Sequence, residues 1–206
     1  MLNVIFALKP DNLKLSLDLV YSTPPEWAEQ VMSDFDSFLQ DHADCERKAS
    51  AMAMSFVAKC PDKVAIIPEL IDTALEELVH FQSVYQLMEK RGVQLPERMP
   101  KDTYIDRLIK LCRSSVEDRL MDRLLLASII ECRGAERFRL VAEVAEDEEI
   151  KIFYKRLWIS EAKHGHIFVK FALNYWSEKE VYSRLEILNE EEGKICESTP
   201  WRAALH

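Results

Sequence analysis

A glutamate and a histidine lie on the face of a predicted helix that should pack into the protein core. Within "TALEELVHFQ", residues 73–82, Glu77 and His80 fall at the centre of an apolar stripe with helical spacing. The apolar positions of that stripe are Val64, Ile67, Leu70 or Ile71, Ala74, Leu78, Phe81 and Met88. Burial of a carboxylate and an imidazole is costly unless both find partners. The sequence therefore predicts further polar groups in the same part of the core.

The same Glu-x-x-His spacing occurs again at Glu161 and His164, on another predicted helix. The chain has five histidines and many glutamates, so chance can produce this spacing and the motif alone is not diagnostic. The position of each motif within its helical hairpin is more informative.

Two further glutamates replace apolar residues in the stripes of the partner helices, at matching depth. Glu46 and Glu77 lie 15 and 16 residues from the turn at Pro61. Glu131 and Glu161 each lie 15 residues from the start of the turn "EDEE". At about 1.5 Å per residue, all four lie roughly 22 Å from the ends of their hairpins. We therefore expect four carboxylates and two imidazoles to converge in one layer of the core.

Few residues in the chain break helices. Its 206 residues include four Gly and eight Pro, and the Pro cluster at a few positions, which favours long helices. The first predicted helix follows a cap at Thr23 and runs to about Lys59. The others run from the "CPDK" break to near Gly92 and over about 104–112, 116–145, 150–176 and 177–197.

This order of helices predicts an all-α, ferritin-like four-helix bundle. Two helical hairpins are joined by a long crossover that contains "RGVQLPERMPKD", and an extra C-terminal helix follows. We expect a single di-metal domain over residues 1–206, with an N-terminal extension at 1–24 and a C-terminal helix and tail at 177–206.

Charge and cysteine content narrow the functional classes. The net charge of −9 disfavours broad, non-specific nucleic-acid binding, although it allows a local basic patch. The five cysteines form no C-x-x-C pair, which excludes a simple thiolate zinc site or a rubredoxin-like iron site. With no apparent signal peptide and no apolar run of transmembrane length, we expect a cytoplasmic protein with reduced thiols and no membrane partner.

A core layer of four carboxylates is unstable without cations, because like charges repel strongly in a low dielectric. Two divalent metals would remove this repulsion, and the pattern matches di-iron or di-manganese carboxylate bundles. The proposed ligands are Glu46, Glu77, His80, Glu131, Glu161 and His164. Because His42 lies one turn before Glu46, it could support that ligand, but we expect an ordinary, partly exposed histidine.

Several segments, spread over nearly the whole chain, resemble the family of tRNA hydroxylases that act on 2-methylthio-isopentenyladenosine. They are "LVYSTPPEWAE", "DHADCERKASAMAMSF", "ALEELVHFQ", "IIECRGAERF", "SEAKHGHIF" and "TPWRAALH", and together they include every proposed ligand. The resemblance implies a non-haem di-iron monooxygenase that hydroxylates the isopentenyl side chain of adenosine 37 in tRNA. It also implies two iron ions, dioxygen as co-substrate and an external electron donor.

The anticodon loop of tRNA would need cations near the site, with the modified base flipped into the pocket. Candidate residues for a basic rim are Arg133, Arg137, Arg139, Lys155 and Lys163, together with Lys151 and Arg156 on the same predicted helix as the two lysines. Salt-bridged helix surfaces explain each of them equally well.

Other functions share such a metal layer, since a fold does not determine a reaction. The main alternative is a manganese catalase or another peroxide- or iron-handling ferritin-like protein. An iron-sequestering oligomer and a metal-free interaction bundle also fit the helices.

Overall fold

The computed structural model describes residues 17–206, which contain seven helices and no strand. They are α1 (Glu26–Ser33), α2 (Phe35–Lys59), α3 (Ile67–Arg91), α4 (Thr103–Ile109), α5 (Val116–Val144), α6 (Glu148–Leu173) and α7 (Glu178–Ser198). The all-α prediction is confirmed. In the part of the chain described, no helix is long and apolar enough to cross a membrane. Most of the extension predicted at 1–24 lies outside the described residues.

The helices form two compact units. The N-terminal hairpin unit contains residues 26–101 and 201–205, and α2 packs against α3 within it. The C-terminal hairpin unit contains residues 17–25, 102–200 and 206, and α5 packs against α6 within it. Each unit therefore contains one of the two predicted helical hairpins. The prediction of a single domain stays a prediction.

Local capping sets the helix ends in the N-terminal hairpin unit. The carboxylate of Asp34 accepts a hydrogen bond from the Ser37 backbone N–H at 3.4 Å and so caps α2. The single helix predicted up to Lys59 is therefore wrong, because Asp34 ends one helix and starts another. At the other end of the hairpin, α3 stops before Gly92, whose φ of 72° is the left-handed conformation that glycine adopts most readily. That stop was predicted.

The predicted apolar stripe of α3 is correct only in part. Glu77 is buried, as are Leu70 and Ala74. Leu78 is 51% exposed and Val64 is 71% exposed, so both were wrongly placed in the core. Val64 precedes the helix, and consecutive helical residues point about 100° apart, so the rotation that buries Glu77 turns Leu78 outward.

Buried polar contacts join the helices of the C-terminal hairpin unit. The Ser128 hydroxyl of α5 accepts a hydrogen bond from the Val169 N–H of α6 at 3.0 Å. Asp122 of α5 is fully buried and binds Arg113 and Arg184, each with a shortest N–O distance below 3 Å. Burial alone would raise the pKa of Asp122, but the hydrogen bonds from the two arginines bring it below its ordinary value. These pairs fix the start of α5 against α7.

Thr23 does not cap the first helix as predicted. Its backbone N–H and its hydroxyl both donate to the Glu136 carboxylate, at 2.9 and 2.7 Å. Thr23 thereby ties the segment before α1 to α5, within the C-terminal hairpin unit. A helix-start pattern gives no information about a partner 113 residues away.

Candidate metal centre

The N-terminal hairpin unit brings three predicted ligands together. His80 Nδ1 lies 3.3 Å from a carboxylate oxygen of Glu77 and 3.8 Å from one of Glu46. Both glutamates are buried, and His80 is half-buried. The i, i+3 spacing places Glu77 and His80 on one side of α3, and Glu46 reaches them from α2. Two carboxylates and one imidazole thus form a compact cluster.

His42 supports this cluster. Its Nε2 lies 2.6 Å from Glu46 Oε1, and its ring packs at 6.0 Å from that of Phe38. The side chain is fully buried, so the expectation of a partly exposed histidine was wrong. The i, i+4 spacing to Glu46 was the available signal, because it places both residues on the same face of α2. His42 therefore orients a predicted ligand.

The C-terminal hairpin unit contains the corresponding cluster. His164 Nδ1 lies 3.0 Å from Glu161 Oε2 on α6, and both residues are almost fully buried. Glu131 of α5, the helix that packs against α6, is also buried. The two Glu-x-x-His pairs each offer a carboxylate oxygen and an imidazole nitrogen to a metal ion. This unit therefore has the same donor types as the other unit.

Close packing sets the separation of α5 and α6 beside the predicted ligands of the C-terminal hairpin unit. Gly165 follows His164 and faces Cys132, which follows Glu131. A Cβ added to Gly165 would lie 2.5 Å from Cys132 Sγ, well inside van der Waals contact. Burial, with the nearby Glu131 carboxylate, raises the pKa of Cys132 to about 12, so this sulfur is a neutral packing group. Gly165 thus permits the separation of α5 and α6 at the ligand level.

We expect Gly165→Ala to destabilise the protein by about 1–3 kcal/mol, because the added methyl overpacks the contact. The additional change Cys132→Ala removes the opposing sulfur and should recover much of that loss. Gly134→Ala is the matched control, since a Cβ at Gly134 meets nothing within 4 Å. It should be neutral or stabilising by up to about 1 kcal/mol. Urea unfolding of the four proteins measures these differences; equal losses in the single and double variants would contradict the packing role.

The chemistry of the donor set fits iron or manganese. Each unit supplies two glutamates and one histidine, which are oxygen and nitrogen ligands of the type that these ions bind in carboxylate proteins. Burial makes uncompensated carboxylates expensive, and bound cations remove that cost. The assignment of all six residues as ligands stays a prediction.

The predicted basic rim needs correction on α5. Arg133 is fully buried and Arg137 is 5% exposed, so neither offers its charge to a ligand at the surface. Arg133 binds Glu192 of α7, and Arg137 lies 3.3 Å from Cys196. Sequence spacing missed these partners because each lies 59 residues away along the chain.

The other rim residues lie nearer the surface. Arg139 is half-buried and pairs with Glu143 at 2.6 Å. On α6, Lys155, Arg156 and Lys163 are exposed, and Lys151 is half-buried. The accessible positive charge of the predicted rim therefore lies mainly on α6.

Comparison with known proteins shows relatives that match most of the chain. The family model described as tRNA-(MS[2]IO[6]A)-hydroxylase (MiaE) matches residues 13–206. A relative from Pseudomonas putida, named tRNA 2-(methylsulfanyl)-N(6)-isopentenyladenosine(37) hydroxylase, is 34% identical over 184 residues, 89% of each chain. A relative of the same name from Salmonella typhimurium is 24% identical over an alignment of 222 positions, with 84% of this chain and 81% of that protein covered.

A solved structure shows the same architecture. It is Protein 43 with aldehyde deformylating oxygenase activity from Synechococcus, with a TM-score of 0.86 and 31% sequence identity. The match covers 91% of this chain and 94% of that one. It confirms the predicted ferritin-like fold class.

Proposed function

The chain belongs to the tRNA-(MS[2]IO[6]A)-hydroxylase family of tRNA-modifying enzymes, and we propose that it hydroxylates the isopentenyl side chain of 2-methylthio-isopentenyladenosine 37 in tRNA. The main support is the family match over residues 13–206, together with a buried Glu-x-x-His pair in each hairpin unit. The names of the two relatives supply the substrate. Because that substrate is tRNA, the expected site of action is the cytoplasm.

We further propose that the two clusters hold one di-metal centre, with two iron ions as its natural occupants and manganese as a possible substitute. The ligands are Glu46, Glu77, His80, Glu131, Glu161 and His164. The matched depth of the four glutamates in their hairpins supports this assignment, as does the ferritin-like fold. Bound iron would supply the redox chemistry that activates dioxygen.

The protein residues would contribute charge balance and orientation. Four carboxylates offset the four positive charges of two divalent ions, so the buried layer becomes electrically neutral. His42 holds Glu46 through its 2.6 Å contact, and supporting contacts of this kind keep metal ligands in position. The four glutamates and His164 are buried, and a site built from them would limit the access of bulk water to the reacting groups.

The overall reaction requires a reductant. One oxygen atom of dioxygen enters the side chain as hydroxyl, and the other leaves as water, which consumes two electrons and two protons. An external electron donor must supply the electrons. The allylic carbon reaches the ligands only if the modified base leaves the stacked anticodon loop, as in other enzymes that modify bases.

Nucleoside analysis of tRNA tests this function. The chain is expressed in cells whose tRNA carries the isopentenyl nucleoside but which lack a hydroxylase for it, and digested tRNA is analysed by mass spectrometry. We expect the hydroxylated nucleoside with the wild-type chain and none with Glu161→Ala. Folded, metal-loaded wild-type protein that leaves the tRNA unchanged would contradict the proposal.

A further inference from the structure

The side of α6 turned away from the proposed ligands carries a surface of exposed side chains. We call it the outer face of α6, and it consists of Ile152, Lys155, Arg156, Ile159 and Lys163. At about 100° per residue, these five positions fall within an arc of about 100°. Glu161 projects from the opposite side of the same helix and is buried.

This face is positively charged, and its cations are not offset by acidic side chains. Within residues 17–206, Lys155, Arg156 and Lys163 have no ion-pair partner. After the first turn of α6, Glu161 is the only acidic residue of the helix, and it lies on the buried side. By contrast, the chain as a whole has a net charge of −9. The charge of these three cations is therefore available to an anionic partner rather than offset by surface ion pairs.

The spacing of the charges suits a nucleic-acid backbone. From Lys155 to Lys163 the helix rises about 12 Å, a length over which one strand presents about three phosphates. Ile152 lies about one turn before the cations and Ile159 lies between them, and both can pack against sugars or unstacked bases. The same helix carries Glu161 and His164, so a backbone held outside would be anchored about one helix diameter, roughly 10 Å, from the ligands.

We infer that the outer face of α6 binds the phosphate backbone of the tRNA anticodon stem-loop. The inference rests on the proposed function, because that function supplies RNA as the partner. It drops the buried Arg133 and Arg137 from the predicted rim and keeps Lys155, Arg156 and Lys163 of α6. Phosphate contacts of this kind position the substrate without reading its sequence.

The test is tRNA binding by the triple variant Lys155→Ala/Arg156→Ala/Lys163→Ala, measured over a range of salt concentrations. We expect binding at about 0.1 M salt to weaken about tenfold or more, and the log–log salt slope to decrease in magnitude by about two to three. Modified and unmodified tRNA should lose affinity by the same factor, because the lost contacts are to phosphate. Iron content and thermal midpoint should stay at wild-type values.

A second triple variant, Lys59→Ala/Lys110→Ala/Lys179→Ala, is the matched control. It removes the same net charge from exposed positions on or next to other helices. Equal weakening in both triple variants would overturn the inference, because binding would then reflect total charge alone.

Two other outcomes distinguish failure of this binding inference from failure of the proposed function. Unchanged tRNA affinity in the α6 variant, with slower turnover only when a protein electron donor replaces a small-molecule reductant, would assign this face to an acidic redox protein instead. A wild-type chain that binds tRNA but does not hydroxylate it would contradict the proposed function. The effect of the α6 variant on tRNA affinity could still be measured, so the binding inference would be tested separately.

Discussion

Glu77→Ala is expected to lower bound iron below two ions per chain and to reduce tRNA hydroxylation by about a hundredfold or more. Changes in the supporting contacts of metal ligands already cost about 10–100-fold, so loss of a ligand should reach at least the upper end of that range. Glu77 is buried, and one of its carboxylate oxygens lies 3.3 Å from His80 Nδ1. Its removal takes away both a donor atom and a negative charge that balances the ions.

Stability measurements distinguish this effect from simple misfolding. In the metal-free protein, removal of a buried carboxylate relieves repulsion, so the thermal midpoint of Glu77→Ala should equal or exceed that of the wild-type chain. With iron bound, the wild-type chain should have the higher thermal midpoint. Iron binds only the folded state, so it stabilises the protein that binds it more tightly by a larger amount.

Glu76→Ala is the matched control for this experiment. Glu76 is the adjacent residue on α3, but its side chain is exposed. It should retain two irons and full activity. A Glu77→Ala protein that also kept two irons and wild-type turnover would remove this residue from the proposed ligand set.

Arg133→Ala is expected to destabilise the protein by about 3–5 kcal/mol, because it leaves a buried carboxylate without its cation. Arg133 and Glu192 are both fully buried and form a two-point contact, at 2.9 and 2.8 Å. Burial alone would lower the pKa of Arg133, but the hydrogen bonds and charge of Glu192 raise it above its ordinary value. The guanidinium therefore stays charged and holds α5 against α7.

Tyr104 completes this buried network. Its hydroxyl donates to Glu192 at 2.8 Å. Burial and the nearby Glu192 charge raise the pKa of Tyr104 well above its ordinary value, so the hydroxyl remains a donor. One hydrogen bond from a neutral phenol does not replace the ion pair when Arg133 is removed.

The double variant Arg133→Met/Glu192→Met tests the cause of the loss. Removal of both charges avoids a fully buried unpaired ion, so this variant should be clearly more stable than Arg133→Ala. Glu136, the second partner of Arg133, loses its cation in both variants but is partly exposed and keeps two hydrogen bonds from Thr23. Urea unfolding measures the free energy of unfolding of the wild-type chain, the single variant and the double variant. A loss below about 1 kcal/mol for Arg133→Ala, or a double variant less stable than the single one, would contradict this explanation.

Sequence periodicity predicted the helical hairpins well, since long apolar stripes and helix-stopping residues act locally. The stop at Gly92 depends on one residue in the left-handed conformation, and the turn near Pro61 on residues that cannot extend α2. The break at Asp34 was missed because an apolar stripe continues through it. There, a side-chain cap competes with helix continuation and prevails.

The burial of the charged side chains was harder to predict than the helices. Burial of Glu46 and Glu131 follows from their places in apolar stripes, and the structure agrees. The burial of Arg133 depends on Glu192, which lies far along the chain. A single sequence gives the position of both residues but not their pairing, so an arginine beside a site is easily assigned to its rim. Exposure, which only the fold determines, separates Arg133 from Lys155.

Isotope labelling of the product tests the central claim most directly. Purified iron-loaded chain is mixed with tRNA that carries the isopentenyl nucleoside, a reductant and oxygen-18 dioxygen in ordinary water, and the nucleoside is analysed by mass spectrometry. We expect a hydroxylated nucleoside that contains oxygen-18, and unlabelled product when the label is in water instead. A product that takes its oxygen from water, or no product from iron-loaded protein with dioxygen and reductant, would contradict oxygen-dependent hydroxylation.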